Sequence, residues 1–146
     1  FMVSHISHEN DQWPDMDTYC DWLEQDRVFL HGRFGLERGL TYPDLMRSFL
    51  LQKLERDDKS VVGATVHRSF DQIPRIWPRA KYIHLLRDPR DVSRSVIEMG
   101  WAGNFFYAAD TWLAAEKTWN DLRDTLSPTD YIEVRYEELI YDYENV

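Results

Sequence analysis

The segment Tyr82-Ile83-His84-Leu85-Leu86-Arg87-Asp88-Pro89-Arg90-Asp91-Val92-Ser93-Arg94-Ser95 leaves few folds open to this chain. An apolar, β-prone run halts at an arginine, a proline follows two residues later, and a helical pattern begins at once. That order specifies a strand, a tight turn and a helix start. Pro89 suits the first turn of a helix, where its missing N–H is not needed. Arg87 is therefore expected at the carboxyl end of a strand, the edge at which open α/β sheets bind their ligands. Ser95 follows eight residues later, about two turns into the helix at about 3.6 residues per turn. A fixed cation and a hydroxyl can then converge on one anion.

The flanking sequence places this unit in an alternating pattern. Asp15 to Asp26 reads as a short amphipathic helix with Met16, Tyr19, Cys20 and Leu23 on one side, and Val28 to Leu40 as a loop carrying Gly32, Gly35 and Gly39. Thr41 is expected to cap a helix from Tyr42 to Asp57, with Pro43 and Asp44 in its first turn and Leu45, Phe49 and Leu50 on its apolar stripe. Ser60 to Val66 reads as a strand, Phe70 to Trp77 as a helix and Lys81 to Leu86 as the next strand, which together would make a right-handed βαβ unit. After the motif helix, Gly100 to Asn104 forms a loop. A long helix from about Phe106 to Leu126 then carries Trp112, Ala115, Trp119 and Leu122 on one face, a stripe read as core. Tyr131 to Val134 is a further strand and Tyr136 to Tyr143 a further helix. Strands alternating with helices, without tandem repeats or a linker, imply one α/β domain over residues 1–146 with a three-layer, mostly parallel sheet.

Composition narrows the function. The 146 residues include 43% hydrophobic ones, enough for a real core. The net charge of −9 argues against general nucleic-acid binding, which needs a positive footprint. Charge is unevenly spread, however. Between Arg68 and Arg94 seven basic residues face three acidic ones, a pattern suited to a small polyanion held in one pocket. No apolar run approaches the roughly 20 residues of a membrane span, and no signal peptide is evident. Cys20 is the only cysteine, so neither an internal disulfide nor a cysteine-based zinc site can form, and a reducing, cytoplasmic compartment is the simplest expectation. No metal is implied.

Arg87-Asp88-Pro89-Arg90-Asp91-Val92 with Ser95 resembles the 3′-phosphate-binding motif of sulfotransferases that use 3′-phosphoadenosine 5′-phosphosulfate (PAPS). Gly100-Trp101-Ala102-Gly103-Asn104 and Arg135-Tyr136-Glu137-Glu138-Leu139 are also similar to segments of bacterial members. The likeness covers roughly residues 60–146, and several motifs in order make it more specific than any one alone. It implies a P-loop kinase-like fold, sulfuryl transfer from PAPS to a hydroxyl or amine of a small-molecule or glycan acceptor, and a 3′-phosphate held by Arg87 and Ser95. The family's Gly-rich phosphate loop is missing from the sequence. Its expected place is before Phe1, with further helices after Val146, so that the chain reads as an incomplete domain. On that expectation the chain alone transfers no sulfate, binds the nucleotide weakly and exposes strand edges that invite self-association.

Each candidate has a plainer reading. Arg87 could pair with Asp88 or Asp91, but a planar guanidinium at a strand end matches phosphate geometry bidentately. Ser95 could bond back to a helix carbonyl. The neighbouring Ser93 and Arg94 diverge by about 100° per residue, so only one of them can point as Ser95 does. The resemblance puts Tyr136 near the adenine, and a core tyrosine is the alternative. His67 ends the expected strand and matches the base of the Lys-Thr-His segment in cytosolic members, although Thr65-Val66-His67 lacks the lysine; a strand-end polar residue is the alternative. His84 alternates within its strand and is expected buried. His5 and His8 are candidates for facing the acceptor, as are the aromatics near Trp13 and from Trp101 to Phe106. Two other functions share such a scaffold: a P-loop phosphotransferase, which would need Mg²⁺ and ATP, and a noncatalytic binding module.

Overall fold

The computed structural model describes residues 12–67, 69–142 and 144. The expectations for His5 and His8, for the two chain ends and for Tyr143 lie outside the described residues. The chain divides into two compact units, one ending at Arg79 and the other beginning at Ala80.

The first unit is helical. Asp15 caps α1 (Met16–Leu23) by accepting from the Thr18 amide at 3.0 Å. Asp26 does the same for α2 (Arg27–Gly32), accepting from Phe29 at 2.7 Å. This second helix falls where a glycine-bearing loop was expected. The local signal was Asp26 followed by Val28, Phe29 and Leu30, which outweighs the glycines because these come only at or after the helix end. Thr41 caps α3 (Tyr42–Arg56) as expected, with Pro43 in the first turn.

Leu23, Leu45, Met46, Phe49 and Ile76 have no exposed surface and form the centre of this unit with Tyr19, Cys20, Phe29 and Tyr42. Each such large side chain contributes about 1.5–3 kcal/mol by leaving water. Burial also pushes the Cys20 thiol above its ordinary range, which keeps it protonated and unreactive.

Ser60 to Val66 does not form a strand. The segment finds no ladder partner among the described residues, and Val61 is 81% exposed. β-prone composition describes a residue's fit to a sheet and supplies no neighbour. A short 3₁₀ turn (Phe70–Gln72) and α4 (Ile73–Ile76) follow, where one continuous helix was expected.

The second unit contains the sheet. β1 (Tyr82–Leu86) runs into α5 (Pro89–Glu98), then α6 (Phe105–Arg123), β2 (Tyr131–Arg135) and α7 (Tyr136–Tyr141). β1 and β2 pair in parallel, from Tyr82 opposite Tyr131 to Leu86 opposite Arg135. The expected neighbour of β1, Ser60 to Val66, is thus replaced by a strand that follows it in sequence. A parallel pair requires a long crossover, and here α5 and α6, which pack on each other, supply it.

The described sheet has two strands. The chain is therefore a mixed helix-and-strand protein with a small parallel sheet. Trp119, 4% exposed on α6, anchors the crossover to one sheet face. Its ring stacks on His84 at 4.5 Å, meets Tyr82 and Tyr131 at 6.0 and 5.9 Å, and its indole N–H donates to Glu133 at 2.9 Å. His84 is largely covered by this packing, as its place in the strand predicted. On the alternate positions Ile83 and Leu85 are 73% and 49% exposed.

Gly100 ends α5. Its positive φ of 73° lets its own N–H reach the Ile97 carbonyl and the Trp101 N–H reach that of Val96, both at 2.9 Å, so that the helix closes with its last carbonyls satisfied. No helix is long and apolar enough to cross a membrane among the described residues.

Candidate anion-binding site

Where β1 gives way to α5, Pro89 occupies the first helical position and Asp88 caps the helix. Asp88 is fully engaged with its own turn. Its Oδ1 accepts from the Arg90 amide at 2.8 Å, and its carboxylate forms a forked pair with the Arg90 guanidinium, at 3.0 and 2.6 Å. The Arg90 side chain, and then its amide, hold the Asp88 carboxyl down to about 2. Asp88 is therefore the partner of Arg90, not of Arg87.

Arg87 is held differently. Its guanidinium carbon lies 4.7 Å from the centre of the Tyr136 ring, and the nearest carboxylate oxygen, on Asp91, is 3.8 Å away, too far for a hydrogen bond. Its Nε is buried without a hydrogen-bond partner among the described residues. An unpaired buried donor costs about 1–3 kcal/mol, so an arginine left this way is primed for an acceptor from outside the chain.

The parallel register accounts for the Arg87–Tyr136 contact. Leu86 is opposite Arg135 in the last rung, so the next residues on each side are Arg87 and Tyr136, and the ones after are Asp88 and Glu137. Glu137 Oε1 accepts from the Asp88 amide at 2.9 Å. That amide is the main cause of a lowered Glu137 carboxyl, and the Arg87 charge adds to it.

These residues border a hollow of about 440 Å³ lined by Leu86, Arg87, Asp88, Pro89, Trp112, Arg135, Glu137 and Glu138. The hollow combines two guanidinium groups, three carboxylates and one indole. The carboxylates of Asp88 and Glu137 are already bonded to N–H groups. Helix amides add little here, because those of Arg90, Asp91 and Val92 all bond to Asp88 and Pro89 has none. An anion at this turn is therefore met by side chains, with Arg87 first.

The other candidates are distributed as follows. Ser95 sits half-buried on α5, its hydroxyl makes no hydrogen bond to the described residues, and it does not line the hollow. Ser93 is 3% exposed, while Arg94 points outward and pairs with Glu98 at 2.9 Å. Trp101 is 62% exposed in the loop before α6. His67 is exposed and belongs to the first unit, whereas Arg87 and Tyr136 belong to the second. The strand that was expected to bring His67 to the sheet edge is not formed.

A model of the sulfotransferase family matches residues 11–146. The chain belongs to that family. No curated protein and no solved structure gives a match.

For this member of the sulfotransferase family, sequence reasoning missed four members of the hollow, Trp112, Arg135, Glu137 and Glu138. Trp112 was read as core; it is half-buried and lines the site. Arg135 and Glu137 flank Tyr136 in the Arg-Tyr-Glu-Glu-Leu segment, and the only available signal was their adjacency to a residue already singled out. Their placement depends on a strand register that no local motif encodes.

Proposed function

We propose that this sulfotransferase uses PAPS as its donor and transfers the sulfuryl group to a hydroxyl or amine of a small-molecule or glycan acceptor, with Arg87 and Ser95 holding the donor's 3′-phosphate. One observation carries this reading: Arg87 stands at the carboxyl end of β1 with its guanidinium positioned over Tyr136 and its buried Nε lacking an acceptor among the described residues. A phosphate oxygen supplies what that nitrogen lacks, and the Ser95 hydroxyl, also without a hydrogen bond to the described residues, adds a neutral donor from α5. By the resemblance, Tyr136 lies near the adenine, which its ring can stack against.

On this reading the two-stranded sheet is part of a three-layer, P-loop kinase-like sheet, and the protein is cytoplasmic, in keeping with its one buried cysteine. His67 would take the acceptor proton. The acceptor oxygen or nitrogen then bonds to sulfur as the bond from sulfur to the 5′-phosphate oxygen breaks, and the electron pair leaves on that phosphate. The chain's part is to bind, to orient and to move that proton.

Calorimetry with 3′-phosphoadenosine 5′-phosphate and with adenosine 5′-phosphate tests the assignment. Arg87→Ala should weaken the first ligand by about 2–4 kcal/mol and leave the second nearly unchanged. Ser95→Ala should show the same selectivity with a loss of about 0.5–1.5 kcal/mol. Equal losses for both ligands would refute a 3′-phosphate contact, and preferential binding of Mg²⁺-ATP would indicate a phosphotransferase instead.

A further inference from the structure

We infer that Glu137 is a positioning residue for Arg87, acting through the amide of Asp88. The inference rests on the 3′-phosphate reading for its effect on ligand affinity and on the geometry alone for the rest.

A long, half-exposed arginine is useful as an anion receptor only if its backbone is held. Two contacts tie the β1–α5 turn to the start of α7: the Arg87 guanidinium on the Tyr136 ring, and the Asp88 N–H on Glu137 Oε1 at 2.9 Å. The Asp88 nitrogen lies in the same rigid peptide plane as the Arg87 carbonyl. Fixing it therefore fixes the rotation that follows the Arg87 Cα, and with it the direction in which the side chain leaves the strand. Nothing else in the turn can replace this bond. Pro89 has no N–H, and the next three amides bond to Asp88 within the helix.

Glu137 gains its place from the register, two positions past the last rung at Arg135, as Asp88 is two past Leu86. One residue thus holds the receptor in position through a backbone donor.

Glu137→Ala and Glu137→Gln separate this role from a general structural one, because glutamine keeps an oxygen that can accept from the Asp88 amide. In the protein, amide exchange at Asp88 should accelerate about tenfold in Glu137→Ala and stay near wild type in Glu137→Gln. The Arg87 Nε–H resonance should lose the ring-current shift caused by Tyr136 in the alanine variant and keep it in the glutamine one. The Asp88 amide resonance of the wild type should follow a titration with its midpoint below 4.5, the ordinary carboxyl value, since the bond favours the ionised form. Affinity for 3′-phosphoadenosine 5′-phosphate should fall about tenfold in Glu137→Ala, with little change for adenosine 5′-phosphate, and recover in Glu137→Gln. Unchanged Asp88 exchange in Glu137→Ala, or equal weakening of both nucleotides, would overturn the inference. If the wild type itself does not distinguish the two nucleotides, the 3′-phosphate reading fails, and the Asp88 and Arg87 resonances alone decide whether Glu137 positions the arginine.

Discussion

Replacing Arg87 by lysine keeps the charge and removes the shape, which makes it the sharpest probe of why an arginine ends β1. The structure gives the guanidinium two jobs. It lies over the Tyr136 ring at 4.7 Å, and it presents a fork of donors that includes the buried, unpaired Nε. The ring contact is worth about 0.5–1 kcal/mol at a partly exposed position, and this side chain is 38% exposed. Losing one of two parallel charge-assisted bonds to a phosphate costs about 1.5–3 kcal/mol when fully desolvated, and less here. A lysine retains the Coulombic attraction and part of the stacking, so Arg87→Lys should weaken 3′-phosphoadenosine 5′-phosphate by about 1–2 kcal/mol, a factor of roughly 5–30. Titration calorimetry at two salt concentrations measures it. Because the charge is unchanged, the salt dependence of binding should match that of the wild type while affinity drops. A lysine variant binding as tightly as the arginine protein would show that charge alone suffices, and the argument from fork geometry would fall.

Two further predictions concern the frame that carries the site. Trp119→Phe should destabilise the second unit by about 1–2 kcal/mol in urea unfolding, since it strands Glu133 without its indole donor at 2.9 Å, whereas Trp119→Ala should cost about 3–5 kcal/mol by also emptying a buried site; equal effects would mean that the hydrogen bond, not the packing, dominates. Asp88 has its folded carboxyl held down at about 2 against an ordinary 3.8, so the stability it lends is complete above pH 4 or so and is lost as pH falls through 2. Unfolding free energies measured across that window should decline in the wild type and decline less in Asp88→Asn, and parallel curves would remove Asp88 from the account.

The strand-turn-helix around Arg87 was legible because each signal was local: the apolar run, the capping aspartate and the proline all act within a few residues of where they stand. The same holds for Thr41 and α3 and for Trp119 and Leu122 in the stripe on α6, of which Trp112 instead lines the hollow. Most of what was not legible depended on partners distant in sequence, with α2 the local exception. Ser60 to Val66 has the composition of a strand and, among the described residues, no ladder partner to make it one. Arg27–Gly32 is a helix because Asp26 caps it, a signal hidden behind a cluster of glycines. At the site, Arg87 and Ser95 could be singled out by spacing, but Glu137, Arg135 and Trp112 reach the hollow only through the β1–β2 pairing and the path of α6. Tyr136 came from resemblance, and its contact with Arg87 from neither spacing nor composition.

The parallel pairing of β1 with β2 works as a ruler with a fixed interval. Arg87 finds Tyr136, and Asp88 finds Glu137, because both pairs stand the same distance apart along the chain as every rung below them. Length is consequently tolerated in some places and forbidden in others. The turns around Gly103 and Pro128 can gain or lose residues at a cost that grows only slowly with loop size, since the crossover need only return to the same rung. A single residue added inside Tyr131–Arg135 would instead turn the remainder of β2 over, carrying the aromatic ring away from the guanidinium and the glutamate away from the turn. Variation among natural relatives should therefore gather in the crossover and be purged from the five rungs, with the two faces of one short ladder setting the tolerance for a site that lies just beyond its end.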